Sequence, residues 1–216
     1  MKKIFLTSII FISFLFSFAQ GDEKAKDILE QVSSKTRSYT TIEADFSFTM
    51  ENKEMEIHEA NDGTIKLKGE KYTVVLPDLG VKIYSDGETL WNYMEDGNQV
   101  IISTIDEESG DLMDPSSLFN IYEKGFQSKF VEEKQEGSKS LYIIDLFPDE
   151  NFQEVSKINI AVNKLTLMID SATLYESGGN MYGIKVKNME TNKSFPDSDF
   201  IFNADEYEDV EVIDFR

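Results

Sequence analysis

The chain has 216 residues, with 41 Asp and Glu against 21 Lys and Arg, for a formal net charge of −20. Such acidity repels phosphate backbones and anionic lipid surfaces, which argues against nucleic acid as a partner and against electrostatic adhesion to a membrane. Cysteine is absent, which excludes a disulfide framework, a thiol nucleophile and a lipid-attachment cysteine, and an apolar share of 40% with 12% aromatics excludes a wholly disordered chain.

The amino terminus reads as a secretory leader. Lys2 and Lys3 precede an apolar run from Ile4 to Phe18, and Ser17 and Ala19 are small residues at the −3 and −1 positions of a cut after Ala19. The run is shorter than the ~20 apolar residues of a membrane anchor. The expected arrangement is therefore a signal peptide over 1–19 and a single domain over 20–216, soluble outside the cytoplasm.

Asp22 to Arg37 predicts an amphipathic helix. Ala25, Ile28, Leu29 and Val32 recur at helical spacing, with acids in the first turn and Lys35 and Arg37 in the last. From Thr41 the apolar period drops to two. Phe46, Phe48 and Met50 alternate with polar residues, as do Ile65 and Leu67, then Tyr72, Val74 and Leu76. Further strands follow at Val81 and Ile83, Leu90 to Met94, and Val100 to Ser103. Asp62-Gly63, Asp86-Gly87 and Asp96-Gly97 lie between these runs, and Asp-Gly there predicts tight hairpin turns. Thr41 to Ser103 is thus expected to be an antiparallel meander.

Asp106 to Asp111 predicts an acidic loop. Asp114-Pro115 then opens a short helix, Asp114 capping it and Pro115 fitting its first turn, with Leu118, Phe119, Ile121 and Tyr122 clustered and Gly125 ending it. Strands resume over Lys129–Gln135, Ser140–Phe147, Val155–Val162, Lys164–Thr173 and Met181–Glu190, with a hairpin turn at Ser177 to Asn180. Phe200-Ile201-Phe202 is a last apolar stretch before the acidic tail.

Catalytic motifs are poor. His58, the one histidine, stands in a polar stretch and reads as a surface residue. No nucleophile elbow, phosphate-cradling glycine loop or zinc-binding His-Glu-x-x-His occurs. Carboxylates are numerous enough for a glycosidase-like pair, but most are solvated faces. Asp106 to Asp114 has neither the glycine nor the final glutamate where a calcium loop needs them. The expected protein is not an enzyme and takes no cofactor or metal. The stronger signal is apolar: large residues on alternating strand positions would give a sheet one broad greasy face, which water cannot be left to cover. An ordinary core and a binding cavity both account for it.

The order of features resembles the periplasmic outer-membrane lipoprotein carrier (LolA) family. Ala25 to Val32 resembles the family's first helix, and Ile42-Glu43-Ala44-Asp45-Phe46-Ser47-Phe48 its first strand. Gly63 to Lys68 resembles the next strand. Ser85-Asp86-Gly87-Glu88-Thr89-Leu90-Trp91-Asn92-Tyr93 carries the family's Asp-Gly, Leu-Trp and Tyr spacing and is the most specific piece. Asp114-Pro115 to Leu118 resembles the central helix, and Asp170 with Ile184 to Asn188 the late strands. The family's Arg-Pro pair is replaced by Lys68-Gly69-Glu70-Lys71-Tyr72, so no lid-latching arginine is carried over.

The resemblance implies a mainly β fold with a few helices, a curved antiparallel incomplete β-barrel covered by a helical lid. It implies a monomeric carrier that shields the acyl chains of lipoproteins. Its partners would be acylated lipoproteins, an inner-membrane ABC lipoprotein-release complex and an outer-membrane acceptor. The lipid-binding cavity would be lined by Phe46, Phe48, Met50, Ile65, Leu67, Trp91, Tyr93, Leu118, Phe119, Tyr122, Ile144, Leu146, Ile160, Ile184 and Val186. A lipid- or glycolipid-binding or sensing protein on the same scaffold, a secreted carboxylate-dependent hydrolase and a plain interaction domain remain alternatives.

Overall fold

The alternating stretches form strands and the 3.6-residue stretch forms a helix. The computed structural model describes residues 22–105, 126–148 and 154–216. Helix α1 spans residues 22–37, as its periodicity predicts, and Ala25, Ile28, Leu29 and Val32 are its buried stripe. Among the described residues twelve strands follow: β1 (Ile42–Asn52), β2 (Ile57–Lys68), β3 (Lys71–Leu76), β4 (Val81–Ser85), β5 (Thr89–Met94), β6 (Gln99–Thr104), β7 (Phe126–Glu136), β8 (Lys139–Pro148), β9 (Val155–Asn163), β10 (Met168–Glu176), β11 (Asn180–Thr191) and β12 (Glu211–Asp214). The expected helix at Asp114 to Lys124 and the leader at 1–19 lie outside the described residues.

All twelve strands share one sheet, in the order β12-β6-β5-β4-β3-β2-β1-β11-β10-β9-β8-β7. Two hairpin-linked meanders, β1–β6 and β7–β11, meet where β1 pairs antiparallel with β11. The sheet is open, with β7 and β12 at its edges, and β12 lies parallel to β6. This is the mainly β, incompletely closed architecture expected from the resemblance.

The turns follow local chemistry. Asp86-Gly87 makes the β4–β5 turn: Gly87 has φ 97°, and Asp86 Oδ1 accepts from the Glu88 and Thr89 amides at 3.0 and 2.8 Å. Asp96-Gly97 lies in the β5–β6 turn, whose left-handed residue is Asn98. Asp62-Gly63 is a correction: it sits inside β2, where Gly63 pairs with Phe46. The β1–β2 turn falls at residues 53–56 instead, where Asn52 Oδ1 accepts from the Glu54 and Met55 amides at 3.1 and 3.0 Å. The stretch expected as one strand from Lys164 to Thr173 is also divided. Asn163 Oδ1 accepts from the Leu165 and Thr166 amides, Leu167 takes φ 55°, and β10 starts at Met168.

Register assigns the two faces of the sheet. One row runs Ala44–Ile65–Val74–Ile83–Asn92–Ile101 across β1–β6. Another runs Phe48–Ile184–Ala172–Ile160–Ile144–Phe130 across β1 and β11–β7. Successive strand residues point to opposite faces, so these rows mark one face. Helix α1 packs on its β7–β10 half, its apolar stripe clustering with Ile144, Leu146, Ile158, Ile160 and Leu174. On the other half of this face Ile42, Ala44, Phe46, Ile65, Leu67 and Val74 form a second cluster.

The opposite face is mostly polar but carries a third cluster. Trp91, Tyr93, Val100 and Ile102 pack with Phe202 of the carboxy-terminal segment, and Tyr84 and Tyr207 join them. Burial, followed by the hydrogen bond with Tyr207, pushes the Tyr84 phenol above its ordinary range. The segment is tied down by ion pairs of Lys66 with Asp199 (2.9 Å) and of Lys68 and Lys71 with Asp197 (2.7 and 2.9 Å). Thr73 Oγ1 donates to the Asp199 carbonyl at 2.6 Å, and Phe200 is fully buried.

Candidate functional site

Apolar side chains are continuous on the α1 side of the sheet, across two clusters. Of the residues expected to line a cavity, Phe46, Ile65 and Leu67 are buried in the second cluster, with half-buried Phe48, Ile184 and Val186 against it. Ile144, Leu146 and Ile160 are buried under α1. Met50 continues the Phe46 and Phe48 alternation on β1 and is half-buried. Leu118, Phe119 and Tyr122 lie outside the described residues.

Trp91 and Tyr93 are placed elsewhere. The row through Trp91 runs Glu43–Lys66–Thr73–Tyr84–Trp91–Ile102, one position out of step with the Ala44 row. Tyr93 pairs with Lys82 and Val100 and shares that face. Both rings therefore lie under the carboxy-terminal segment. A shift of one residue in a strand exchanges its faces, and on β5 the residues turned toward α1's side are Leu90, Asn92 and Met94.

The α1 side also gathers residues that sequence reading leaves out. Leu76, Ile83 and Leu90 are half-buried against the second cluster. With Phe48, Ile184 and Val186 they make an apolar strip that is neither closed core nor free surface. Phe48 stacks on Tyr182, with ring centroids 6.3 Å apart and planes at 20°. Burial raises the Tyr182 phenol, with the Glu176 carboxylate adding to it. The parity of β3 and β4 is the signal for Leu76 and Ile83: Leu76 stands two residues from Val74 of the Ala44 row, and Ile83 belongs to that row.

Cavities lined by described residues adjoin this architecture, two of them at the helix and the late strands. The larger, about 940 Å³, lies between the polar flank of α1 and the start of β7, lined by Lys26, Leu29, Glu30, Ser33, Arg37, Phe126 and neighbours. The smaller, about 350 Å³, opens between β10 and β11 and is lined by Tyr39, Lys139, Met168, Ile169, Asp170, Val186, Met189 and neighbours. Val186 is the expected lining residue that borders it.

Among the described residues most charged side chains stand in pairs near the surface. His58 is exposed on β2, with its Nδ1 3.3 Å from Glu51. Glu133 takes hydrogen bonds from Lys164 and Lys24, which hold its carboxyl below the ordinary range. Among the described residues no group of three or more His, Asp or Glu is placed to hold a metal ion, and no helix is long and apolar enough to cross a membrane.

The family model for the outer membrane lipoprotein carrier protein LolA matches residues 37–203. No curated protein matches the sequence. Among solved structures, an uncharacterized conserved protein from Thermus thermophilus is similar at TM-score 0.60 and 12% identity, over 88% of this chain and 99% of that one. A DUF1329 family protein from Desulfovibrio piger is similar at TM-score 0.50 and 12% identity, over 84% and 97% of the two chains. A LolA superfamily protein from Nitrosomonas europaea gives TM-score 0.45 at 12% identity, over 82% and 97%. At 12% identity the first two likenesses are ones of fold.

Proposed function

The chain belongs to the outer membrane lipoprotein carrier protein LolA family, and we propose that it shields the acyl chains of lipoproteins on the α1 side of its sheet and carries them through the periplasm. The observation that carries this reading is the half-buried apolar strip of Phe48, Leu76, Ile83, Leu90, Ile184 and Val186, continuous with the buried cluster beneath it. Acyl chains gain about 0.8 kcal/mol for each methylene removed from water. A sixteen-carbon chain therefore gains on the order of 12 kcal/mol, which prevents unaided crossing of an aqueous compartment. A partly covered apolar surface can take up such chains and still release them, and the task needs no covalent chemistry.

In this reading residues 1–19 are the leader and 20–216 the carrier domain. Phe46, Phe48, Met50, Ile65, Leu67, Ile144, Leu146, Ile160, Ile184 and Val186 belong to the cargo-bearing side, and Leu118, Phe119 and Tyr122 stay in the proposed lining as residues outside the described ones. Trp91 and Tyr93 are left out of the lining, because register turns them away. The donor is an inner-membrane ABC transporter and the destination an outer-membrane acceptor. Native mass spectrometry of the protein purified from periplasm tests the reading. A bound acylated polypeptide is the expected result. Bound free lipid would move the function to lipid binding, and reproducibly empty protein would overturn both.

A further inference from the structure

The β10–β11 ladder pairs Tyr175 with Met181 through Ser171 with Lys185 and then stops, although β10 reaches back to Met168 and β11 runs on to Thr191. Each strand carries an extra residue at the break. Ile169 pairs with Val162 and Ser171 with Ala161, so Asp170 is bulged on β10. Val186 pairs with Phe46 and Asn188 with Asp45, so Lys187 is bulged on β11. A bulge bends its strand and re-aims a side chain. The cavity of about 350 Å³ lies between the two, and its size is that of a small-ligand site.

Depth sorts the lining by chemistry. Met168 and Ile169 are buried and Val186 and Met189 half-buried, and together they make an apolar floor. At the mouth stand Lys139 and Lys187, whose side chains are 45% and 47% exposed. Asp170 is the one carboxylate of the lining, buried and paired with Lys139. Lys187 pairs with Asp62, which lies outside the lining and has a side chain 65% exposed. Two lysines thus face one carboxylate, a local positive excess in a chain of net charge −20. An ammonium has three N–H donors, and each lysine gives one to its carboxylate. Exposed ion pairs contribute little, so Lys187 can turn from Asp62 toward a ligand.

We propose that this gap binds an anionic amphiphile with a single apolar chain. Its head accepts hydrogen bonds from Lys139 and Lys187, and its chain lies on Met168, Ile169, Val186 and Met189. Asp170 is a positioning residue: it anchors the Lys139 ammonium at the mouth and leaves the other N–H groups for the head. A cationic head would be repelled by both ammonium groups, and an uncharged head gains no ion pair from them. Carboxylate and phosphate heads share the required chemistry. The site is separate from the half-buried strip of Phe48, Leu76, Ile83, Leu90 and Ile184, and it does not rest on the carrier reading.

The test is calorimetric titration of the purified protein with dodecanoate, dodecyl phosphate and the uncharged glycerol ester of dodecanoate, with methionine-methyl NMR to locate the chain. At least one anion is expected to bind roughly tenfold or more tightly than the ester, as hydrogen bonds to charged groups allow. Methyl shifts are expected at Met168 and Met189. The tighter anion tells a free fatty carboxylate from a lipid phosphate, and either supports the site. Lys187→Gln, at an exposed position, should reduce the anion's advantage and leave ester binding unchanged. Lys139→Gln combined with Asp170→Asn removes the buried pair together, strands no charge, and should reduce the advantage further. Equal affinity for anion and ester, an advantage that survives these substitutions, or shifts at Met50 in place of Met168 and Met189 overturns the site. So does failure to bind any of the three probes. Each of these outcomes leaves the carrier reading to its own test by native mass spectrometry.

Discussion

The ring of Phe46 lies across the backbone of Gly63 on the neighbouring strand. A β-carbon at position 63 would come within 2.6 Å of Phe46 Cζ, 2.7 Å of Leu76 Cδ2 and 3.0 Å of the Val75 carbonyl oxygen. The glycine is thus a space requirement in mid-strand rather than a turn residue, and it lets a large ring lie flat at the base of the apolar face.

Gly63→Ala therefore overpacks the sheet. The expected destabilisation is about 1–3 kcal/mol, read as a lower urea midpoint. Phe46→Leu in the same chain should recover part of the loss, since it removes the nearest obstacle. A double-mutant cycle with no coupling between the two positions would contradict the contact.

Trp91 is the single tryptophan and faces away from α1, beside Phe202 and Tyr207. Brominated acyl chains bound on the α1 side should leave its fluorescence nearly unquenched. A Phe48→Trp variant carrying Trp91→Phe should be strongly quenched by the same chains. Strong quenching of Trp91 in the wild type would place cargo on the wrong face.

Hydrogen bonds from Lys68 and then Lys71 hold the Asp197 carboxyl at about 2, below its ordinary 3.8. The folded state therefore binds this proton less readily than the unfolded chain. The stabilisation is complete above about pH 4 and is lost as pH falls toward about 2. The stability difference between wild type and Asp197→Asn should shrink across that window and also on adding salt, as measured by urea titration.

Ile144 and Ile160 are opposite each other on β8 and β9, fully buried beneath α1. Ile144→Ala should cost about 2–5 kcal/mol. Hydrogen exchange should accelerate in both β8 and α1, because the helix has lost the surface it packs on. Acceleration confined to β8 would mean that α1 is held by other contacts.

Much of the fold is legible in the sequence because its causes are local. The buried stripe Ala25, Ile28, Leu29 and Val32 specifies α1 through helical geometry alone. Period-two alternation marks most strands, and Asp86-Gly87 makes its turn because its own side chain and its glycine satisfy it. Asp62-Gly63 has the same dipeptide without being a turn, and the difference lies in Phe46, on the strand that pairs with it. The strand expected from Lys164 was too long because Asn163 caps a turn through its side chain.

The sequence by itself determined the acidic, cysteine-free character of the chain, its amphipathic helix and its two meanders, since charge and periodicity are properties of neighbours along the chain. Tertiary structure alone decided which face each strand turns to that helix. Trp91 and Leu90 are adjacent and both apolar, so either could have faced α1. Cross-strand register, and the cover that Phe202 and Tyr207 provide on the far side, send Trp91 one way and Leu90 the other.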